Sequence, residues 1–262
     1  MSISIDVIFL CTSFFASVFG AVCGIGGGVI IKPVLDASGM LDVSVISFLS
    51  ACTVLIMSLY SVGATLIKRE NVLDAKTATP MAVGAAIGGV AGKEIFEALL
   101  LLLPHTDGVG RIQAGCLLLI TVLTLLYTKH KTRLTTRRVQ SVVACVCVGL
   151  TLGMISAFLG IGGGPMNLMV LSYFFSMDAK KAAQNSLYMI LISQSAGLLS
   201  TFFQAQIPPF EPKLLLLMAV GGLGGAIIGR KWSKRMKTQA VNQWFCRAMT
   251  MIICLCMFNM VR

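Results

Sequence analysis

Long runs without a charged residue follow one another along almost the whole chain. A transmembrane helix needs about 20 mostly apolar residues, and most of these runs approach or exceed that length. They are continuously apolar rather than alternating apolar with polar residues, as the strands of a membrane β-barrel would. The pattern therefore predicts an all-α integral membrane protein with about 8 hydrophobic segments. The uncharged runs lie near residues 7–31, 43–67, 77–92, 112–128, 139–177, 182–207, 214–229 and 248–261.

An internal repeat underlies this pattern. The sequence Ala-x-x-Gly-Ile-Gly-Gly-Gly occurs at residues 21–28 and again at 157–164, an offset of 136. The register continues through further pairs, with one inserted residue before the last of them: Asp42/Asp178, Ser50/Ser186 and Gly84/Gly221. Two matching blocks in the same order predict two membrane repeats, 1–131 and 132–262.

Three successive glycines in an apolar run disfavour a continuous helix, because each costs about 1 kcal/mol relative to alanine. Unwound backbone at membrane depth is tolerated where it is buried in protein or lines a cavity. Pro165 suits the first turn of a new half-helix. We therefore expect a broken or re-entrant helix at each motif, where freed N–H groups and the positive helix end favour an anion.

The alternative is that such glycines only allow helices to pack closely. We expect that role for two series spaced four residues apart, Gly84/Gly88/Gly92 and Gly221/Gly225/Gly229.

Polar side chains follow each glycine motif. They could bind substrate beside the broken helix, or they could make ordinary hydrogen bonds between helices. Lys32 is a further cation that either pairs with an anion or extends toward the membrane surface. The predicted substrate-binding residues are Gly24, Gly26, Gly27, Gly28, Gly160, Gly162, Gly163, Gly164, Asn167, Asn185, Ser186 and Ser50.

Composition leaves no room for a soluble domain. Of 262 residues, 56% are hydrophobic and 12% are charged, and the mean hydropathy is +0.89. The net charge of +11 comes from basic residues in short connections, which in a membrane protein is first a topology signal rather than a nucleic-acid site. Asp6 is the only charge before the first apolar run, so we interpret that run as a retained span rather than a secretory signal.

The positions of the ionisable residues favour an anionic substrate. All ten Asp and Glu residues lie near segment ends or in connections, whereas a cation site or proton relay would be expected to place one within a span. Nine cysteines in apolar stretches and two histidines in polar connections predict packing thiols, with no metal or other cofactor. The chain lacks H-E-x-x-H and a P-loop lysine, so we do not expect an enzyme.

Basic residues distinguish two topologies. If each repeat held four plain spans, ten Lys and Arg would lie on one side and eleven on the other. If the chain turns back at each glycine motif, fifteen or sixteen lie on one side and five on the other. The second count agrees with the positive-inside rule and makes the repeats inverted copies, as in many secondary transporters.

The duplicated Gly-x-Gly-Gly-Gly, followed by Pro33-x-Leu35 in the first copy and Pro165-x-Asn167 in the second, resembles the TauE/SafE sulfite exporter family. The resemblance covers essentially the whole chain. It implies a duplicated bacterial membrane protein that moves sulfite, organosulfonates or other sulfur-containing or carboxylate anions. The second copy has Met169 where the first has Pro33, so the two half-sites are not equivalent.

Together these patterns predict a multi-pass transporter of the bacterial plasma membrane that moves a small anion by alternating access. Its predicted partners are that anion and the lipid bilayer, without nucleic acid, and no oligomeric state is predicted. Two alternatives are an anion channel using the same site and a membrane-embedded scaffold or enzyme without a transport role.

The inverted topology makes a labelling prediction. Residues near 105–110 should react with an impermeant reagent added outside the cell. Residues 129–138 and 230–237 should react only after the membrane is permeabilised, because they lie on the basic side. Labelling of 230–237 from outside would contradict the inverted arrangement.

Overall fold

The computed structural model describes residues 3–70, 72–102, 106–131, 136, 139, 141–205 and 207–261. These residues form ten helices and no strand. In chain order the helices are α1 Ile3–Cys23, α2 Gly28–Ser38, α3 Val43–Ile67, α4 Ala75–Leu102, α5 Thr106–His130, α6 Val142–Leu159, α7 Gly164–Phe174, α8 Ala179–Phe203, α9 Pro212–Arg235 and α10 Thr238–Val261.

Seven of these helices, α1, α3, α5, α6, α8, α9 and α10, are long and apolar enough to cross a membrane. The eighth long helix, α4, has 28 residues and packs along α6. Helices α2 and α7 have only 11 residues each. With a rise of ~1.5 Å per residue, such a helix spans roughly half of a bilayer core. The prediction of an all-α membrane protein with about 8 apolar segments and glycine-broken helices is confirmed.

The outside of the bundle is apolar where lipid would surround it. Large hydrophobic side chains such as Ile67, Val143 and Phe203 are 85%, 72% and 81% exposed. Serine and threonine side chains are buried between the helices, where several hydroxyls, such as those of Thr53, Thr65 and Thr121, donate to carbonyls one turn earlier. This distribution fits a protein that spans the bilayer in several passes.

Contacts between the helix ends identify two ends of the bundle. At one end Lys213 pairs with Asp6 at 2.5 Å, so α1 and α9 start together. At the other end Ser233 donates to the Val22 carbonyl at 3.4 Å, so they also finish together. We call the second end the basic end, because basic residues such as Lys131 and Lys234 lie there. It also holds the described residues of the α3–α4 and α7–α8 connections and residues 136 and 139.

Helix α2 turns back instead of continuing α1. A Cβ on Gly20 would lie 2.6 Å from the Gly27 nitrogen, so the chain folds back beside the last turns of α1. Helix α2 then ends away from the basic end, where Asp36 and Gly39 line one cavity with Asn259 near the C-terminal end of α10.

Helix α7 turns back in the opposite direction. It ends at the basic end, where the Val139 N–H donates to the Phe174 carbonyl at 2.9 Å and Ser176 donates to Thr136 at 2.7 Å. The two short helices therefore point to opposite ends of the bundle, and the repeats are inverted copies as the charge distribution predicted.

Reciprocal contacts relate the two repeats by a pseudo-two-fold axis. A Cβ on Gly28 would lie 2.8 Å from the Ile161 carbonyl oxygen, and a Cβ on Gly164 would lie 2.8 Å from the Ile25 carbonyl oxygen. The two contacts are therefore the same contact with the repeats exchanged. Such exchange of partners is the signature of two-fold symmetry. Because the short helices run in opposite directions, this axis lies in the membrane plane.

The two glycine series pack helices closely, as predicted. A Cβ on Gly88 of α4 would overlap the Leu150 carbonyl of α6, and one on Gly225 of α9 would overlap the Phe14 carbonyl of α1. Phe14 and Leu150 are again related by the repeat offset. Each repeat therefore packs its first helix on the fourth helix of the other repeat, so the halves are interlocked. The boundary predicted between 131 and 132 stays a prediction, since residue 132 lies outside the described residues.

Overfilling this contact should destabilise the protein. We expect Gly88→Ala to lower the free energy of unfolding by about 1–3 kcal/mol, because the methyl group forces the two backbones apart. Gly225→Ala should have a similar effect at the symmetric contact. Gly63→Ala is the matched control, since a Cβ there meets nothing within 4 Å. Unfolding followed in detergent would measure the losses, and equal stability of all three variants would contradict the prediction.

Candidate functional site

Two glycine hairpins form the centre of the bundle. We call residues 24–28 the first glycine hairpin and residues 160–164 the second. Gly24 and Gly26 have φ of 75° and 69°, and their counterparts Gly160 and Gly162 have φ of 65° and 73°. Residues with a side chain rarely adopt this left-handed backbone conformation. The duplicated glycines therefore allow the chain to reverse at these two positions.

A cavity of about 160 Å³ lies at the second glycine hairpin. Gly160 and Gly162 line it, and it extends to Pro208 in the connection between α8 and α9, away from the basic end. Four helices provide its polar wall: Ser47 from α3, Lys93 from α4, Ser156 from α6, and Ser193 and Gln194 from α8. The cavity is thus built from both repeats, at the point where their hairpins meet.

The described residues of the cavity wall include a cation and no carboxylate. Lys93 is the only charged residue among those that line it within the described part of the chain. The Gln194 amide lies so close to Gly162 that a Cβ there would overlap it. Helix α7 begins at Gly164, directly after this turn, which brings the partial positive charge of a helix N-terminus to the same region. An anion would find donors and a cation here, and no described carboxylate lines the wall.

Lys32 lies behind this wall rather than in it. Its side chain is almost fully buried and donates to Ser47 Oγ at 3.2 Å, and its Nζ is 3.5 Å from Asp36 Oδ2. Asp36 therefore compensates much of its charge. The lysine does not extend to the membrane surface, and it adjoins the cavity wall at Ser47 and beside Gly160.

The predicted site residues fall into three groups in the structure. Gly160 and Gly162 line the cavity. Gly163 adjoins the Asn167 side chain, and Gly164 packs on the first hairpin. The remaining residues lie away from the cavity wall: Gly24, Gly26, Gly27, Gly28, Ser50, Asn185 and Ser186.

Asn185 holds the basic end together. Its Oδ1 accepts from the Asp74 N–H at 2.9 Å, and its Nδ2 donates to the carbonyls of Val72 at 3.0 Å and Lys181 at 2.8 Å. These contacts use the oxygen and both hydrogens of the amide. Asn185 thus ties the α3–α4 connection to the start of α8.

Ser50 and Ser186, by contrast, are symmetry counterparts. Their hydroxyls are buried without a hydrogen-bond partner among the described residues. Ser50 Oγ lies beside Gly28, at 3.1 Å from the position of an added Cβ. Ser50 therefore lies beside the contact between the two hairpins.

Sequence reasoning left several cavity residues out of the predicted site. Ser47, Ser193 and Gln194 stand among the polar residues downstream of the motifs, but nothing in one sequence separates them from packing serines. Lys93 had a clearer signal, because it interrupts a Gly- and Ala-rich segment and aligns with Arg230 in the second repeat. A basic residue duplicated within an apolar segment could have placed it on the list of candidates.

Comparison with known proteins identifies the family. The family model described as sulfite exporter TauE/SafE matches residues 9–258, which includes both glycine hairpins and every residue lining the cavity. No curated protein and no solved structure matches the chain. A match over nearly the whole chain shows that this protein belongs to the TauE/SafE sulfite exporter family of membrane transport proteins.

Proposed function

We propose that this protein is a secondary transporter that moves a small sulfur-containing or carboxylate anion, such as sulfite or an organosulfonate, across the bacterial plasma membrane. The anion binds in the cavity at the second glycine hairpin. The observation that carries the proposal is the combination there of Lys93, hydroxyl and amide donors and unwound backbone, at the crossing of two inverted repeats. Inverted repeats with interrupted helices at the membrane midplane are typical of secondary transporters.

The size and chemistry of the cavity support a small anion. Its volume of about 160 Å³ is enough for an anion of a few heavy atoms. For comparison, a cavity that holds a single buried water needs a volume of only about 10–15 Å³. Lys93 places a cation in the cavity wall. Ser47, Ser156, Ser193 and Gln194 supply donors for the oxygens of the anion.

The distribution of charge supports one orientation in the membrane. The basic end would face the cytoplasm, following the positive-inside rule. The cavity, which extends away from the basic end, would then be reached from the outer side. Alternating access would require this side to close and a path to the basic end to open.

Flux measurements test the proposal. Purified protein in liposomes should show saturable uptake of a sulfonate or sulfite, and a proton gradient should change its rate if transport is coupled. An anion flux that does not saturate with substrate concentration and does not change with the proton gradient would indicate the alternative, an anion channel. A thermal-shift series with sulfite, sulfate, sulfonates and short carboxylates would rank the anions, and stabilisation by none of them would count against an anion site.

Gly162→Leu should abolish transport while the protein still inserts in the membrane. The larger side chain cannot adopt the left-handed turn readily, and it would displace the Gln194 amide from the cavity wall. Gly63→Leu is the control, because that glycine lies within α3 with open space around it. Flux and membrane insertion would be measured on the same preparations. Transport by Gly162→Leu at the normal rate would contradict this prediction and would show that the hairpin has only a structural role.

Lys93→Gln should weaken anion binding without loss of folding. Hydrogen bonds to charged groups contribute about 1.5–3 kcal/mol, so KM should rise by roughly tenfold to a hundredfold. The matched control is Lys231→Gln, which removes the same charge from an exposed position one residue after Arg230. If both variants change KM alike, the effect is one of overall charge and Lys93 is no anion ligand.

A further inference from the structure

The cavity has a symmetry counterpart at the basic end. Applying the repeat offset to Gly160, Gly162 and Thr201, all cavity residues, gives Gly24, Gly26 and Thr65. Lys93 corresponds to Arg230, and Gly197 corresponds to Ser61. Helices α3 and α8 have the same length and keep the same repeat offset from end to end, which supports this correspondence.

Arg230 fills the counterpart region instead of leaving it open. Its side chain is only 5% exposed and reaches from α9 to α3. Nη1 donates to the Ser61 carbonyl at 2.8 Å and to Thr65 Oγ1 at 2.6 Å. The corresponding residues of the other repeat, Gly197 and Thr201, line the open cavity. Between α9 and α3 these residues are therefore bridged by the Arg230 side chain, whereas between α4 and α8 the symmetry-related residues line a cavity.

Glu70 completes this bridge at the membrane surface. Arg230 Nη2 donates to Glu70 Oε2 at 3.1 Å, and Lys234 forms an ion pair with Glu70 Oε1. Burial raises the pKa of Glu70, but the hydrogen bonds and charges of Lys234 and Arg230 outweigh it, and its pKa lies below the ordinary value. Glu70 is therefore ionised at neutral pH, where it holds the guanidinium.

Arg230 is equipped to bind an oxyanion once it leaves Glu70. A guanidinium presents a planar pair of N–H donors that fits a carboxylate or another oxyanion equally well. The Thr65 hydroxyl accepts a hydrogen bond from it, and the hydroxyl of Ser61, one turn earlier on α3, is buried without a hydrogen-bond partner among the described residues. The closed region thus contains a cation and an unused hydroxyl donor, the same kinds of group that line the open cavity.

We propose that this region is a second, alternately exposed anion site, with Arg230 as its cation and with Glu70 as the carboxylate that occupies Arg230 while the site is closed. The proposal rests on the proposed transport function and assigns its pathway at the basic end. Opening separates Arg230 from Glu70 and makes Ser61, Thr65 and the first glycine hairpin accessible from that end. A small oxyanion such as sulfate or a sulfonate then takes the place of the Glu70 carboxylate.

Thiol labelling tests this site without depending on transport. Ser61→Cys places a thiol of similar size at the buried position, and an impermeant maleimide is added from the basic end in liposomes. The rate is taken above that of protein without the introduced cysteine, which corrects for the native thiols. Glu70→Gln should raise the rate at least about tenfold, since it removes a charge-assisted hydrogen bond. The control Asp74→Asn removes a carboxylate of the same connection that pairs with Lys181 instead, and it should leave the rate unchanged.

Protection from labelling by an anion distinguishes an anion-binding site from an ion pair that only closes this end of the bundle. In the Ser61→Cys, Glu70→Gln protein, sulfate or methanesulfonate should slow labelling, and adding Arg230→Gln should abolish this protection while labelling stays fast. An unchanged rate after Glu70→Gln, or an equal rise after Asp74→Asn, would overturn the proposal. Fast labelling without protection by either anion would also overturn it, by making the ion pair a structural seal. If labelling and protection behave as expected while the liposomes show no flux, the site stands and the transport function fails.

Discussion

Mutual shielding of two unwound backbone segments is the constraint on which this architecture depends. Peptide groups outside a helix cannot face lipid without a large desolvation cost, so each glycine hairpin needs a protein surface that covers it. Each one finds it in the other hairpin, since Gly28 lies against the Ile161 carbonyl and Gly164 against the Ile25 carbonyl. A single repeat would leave its hairpin uncovered, which is a physical reason for the duplication. The absence of side chains at both contact points is what lets the two backbones meet.

The two halves of this symmetric frame are not in the same state. At the second hairpin, Ser47 and Gln194 stand at the wall of a cavity. At the first hairpin, Gly24 packs against Ala183. Nearer the basic end, Arg230 bridges α9 and α3 through its hydrogen bond to the Ser61 carbonyl. Symmetry-related segments of the two repeats thus hold two local arrangements in one molecule. Under the proposed alternating access, exchange of those arrangements between the repeats would open the other end, and each arrangement is already present in the fold.

Periodicity and composition predicted the frame of this protein better than its site. Long uncharged runs, the constant repeat offset and the uneven basic connections were enough for the membrane fold, the breaks at Gly24–Gly28 and Gly160–Gly164 and the inverted repeats. These follow from bulk hydrophobicity and from the backbone freedom of glycine, both of which are local properties of the chain. Side-chain roles were harder, because they depend on which helix faces which. Asn185 and Gln194 are both amides on α8, yet one ties a connection in place and the other faces a cavity.

The exchange of helices between the repeats has a consequence for biogenesis. Helix α1 leaves the ribosome before the other helices, but the glycine surface that it packs against belongs to α9, near the far end of the chain. During synthesis α1 is therefore in the bilayer before its partner α9 has been made. In the same way, α4 is made before its partner α6. Tertiary structure in this protein can be completed only after α9 has been synthesised. An early stop codon would thus leave no finished half-protein, and any factor that shelters unassembled helices would be needed mostly by the first repeat.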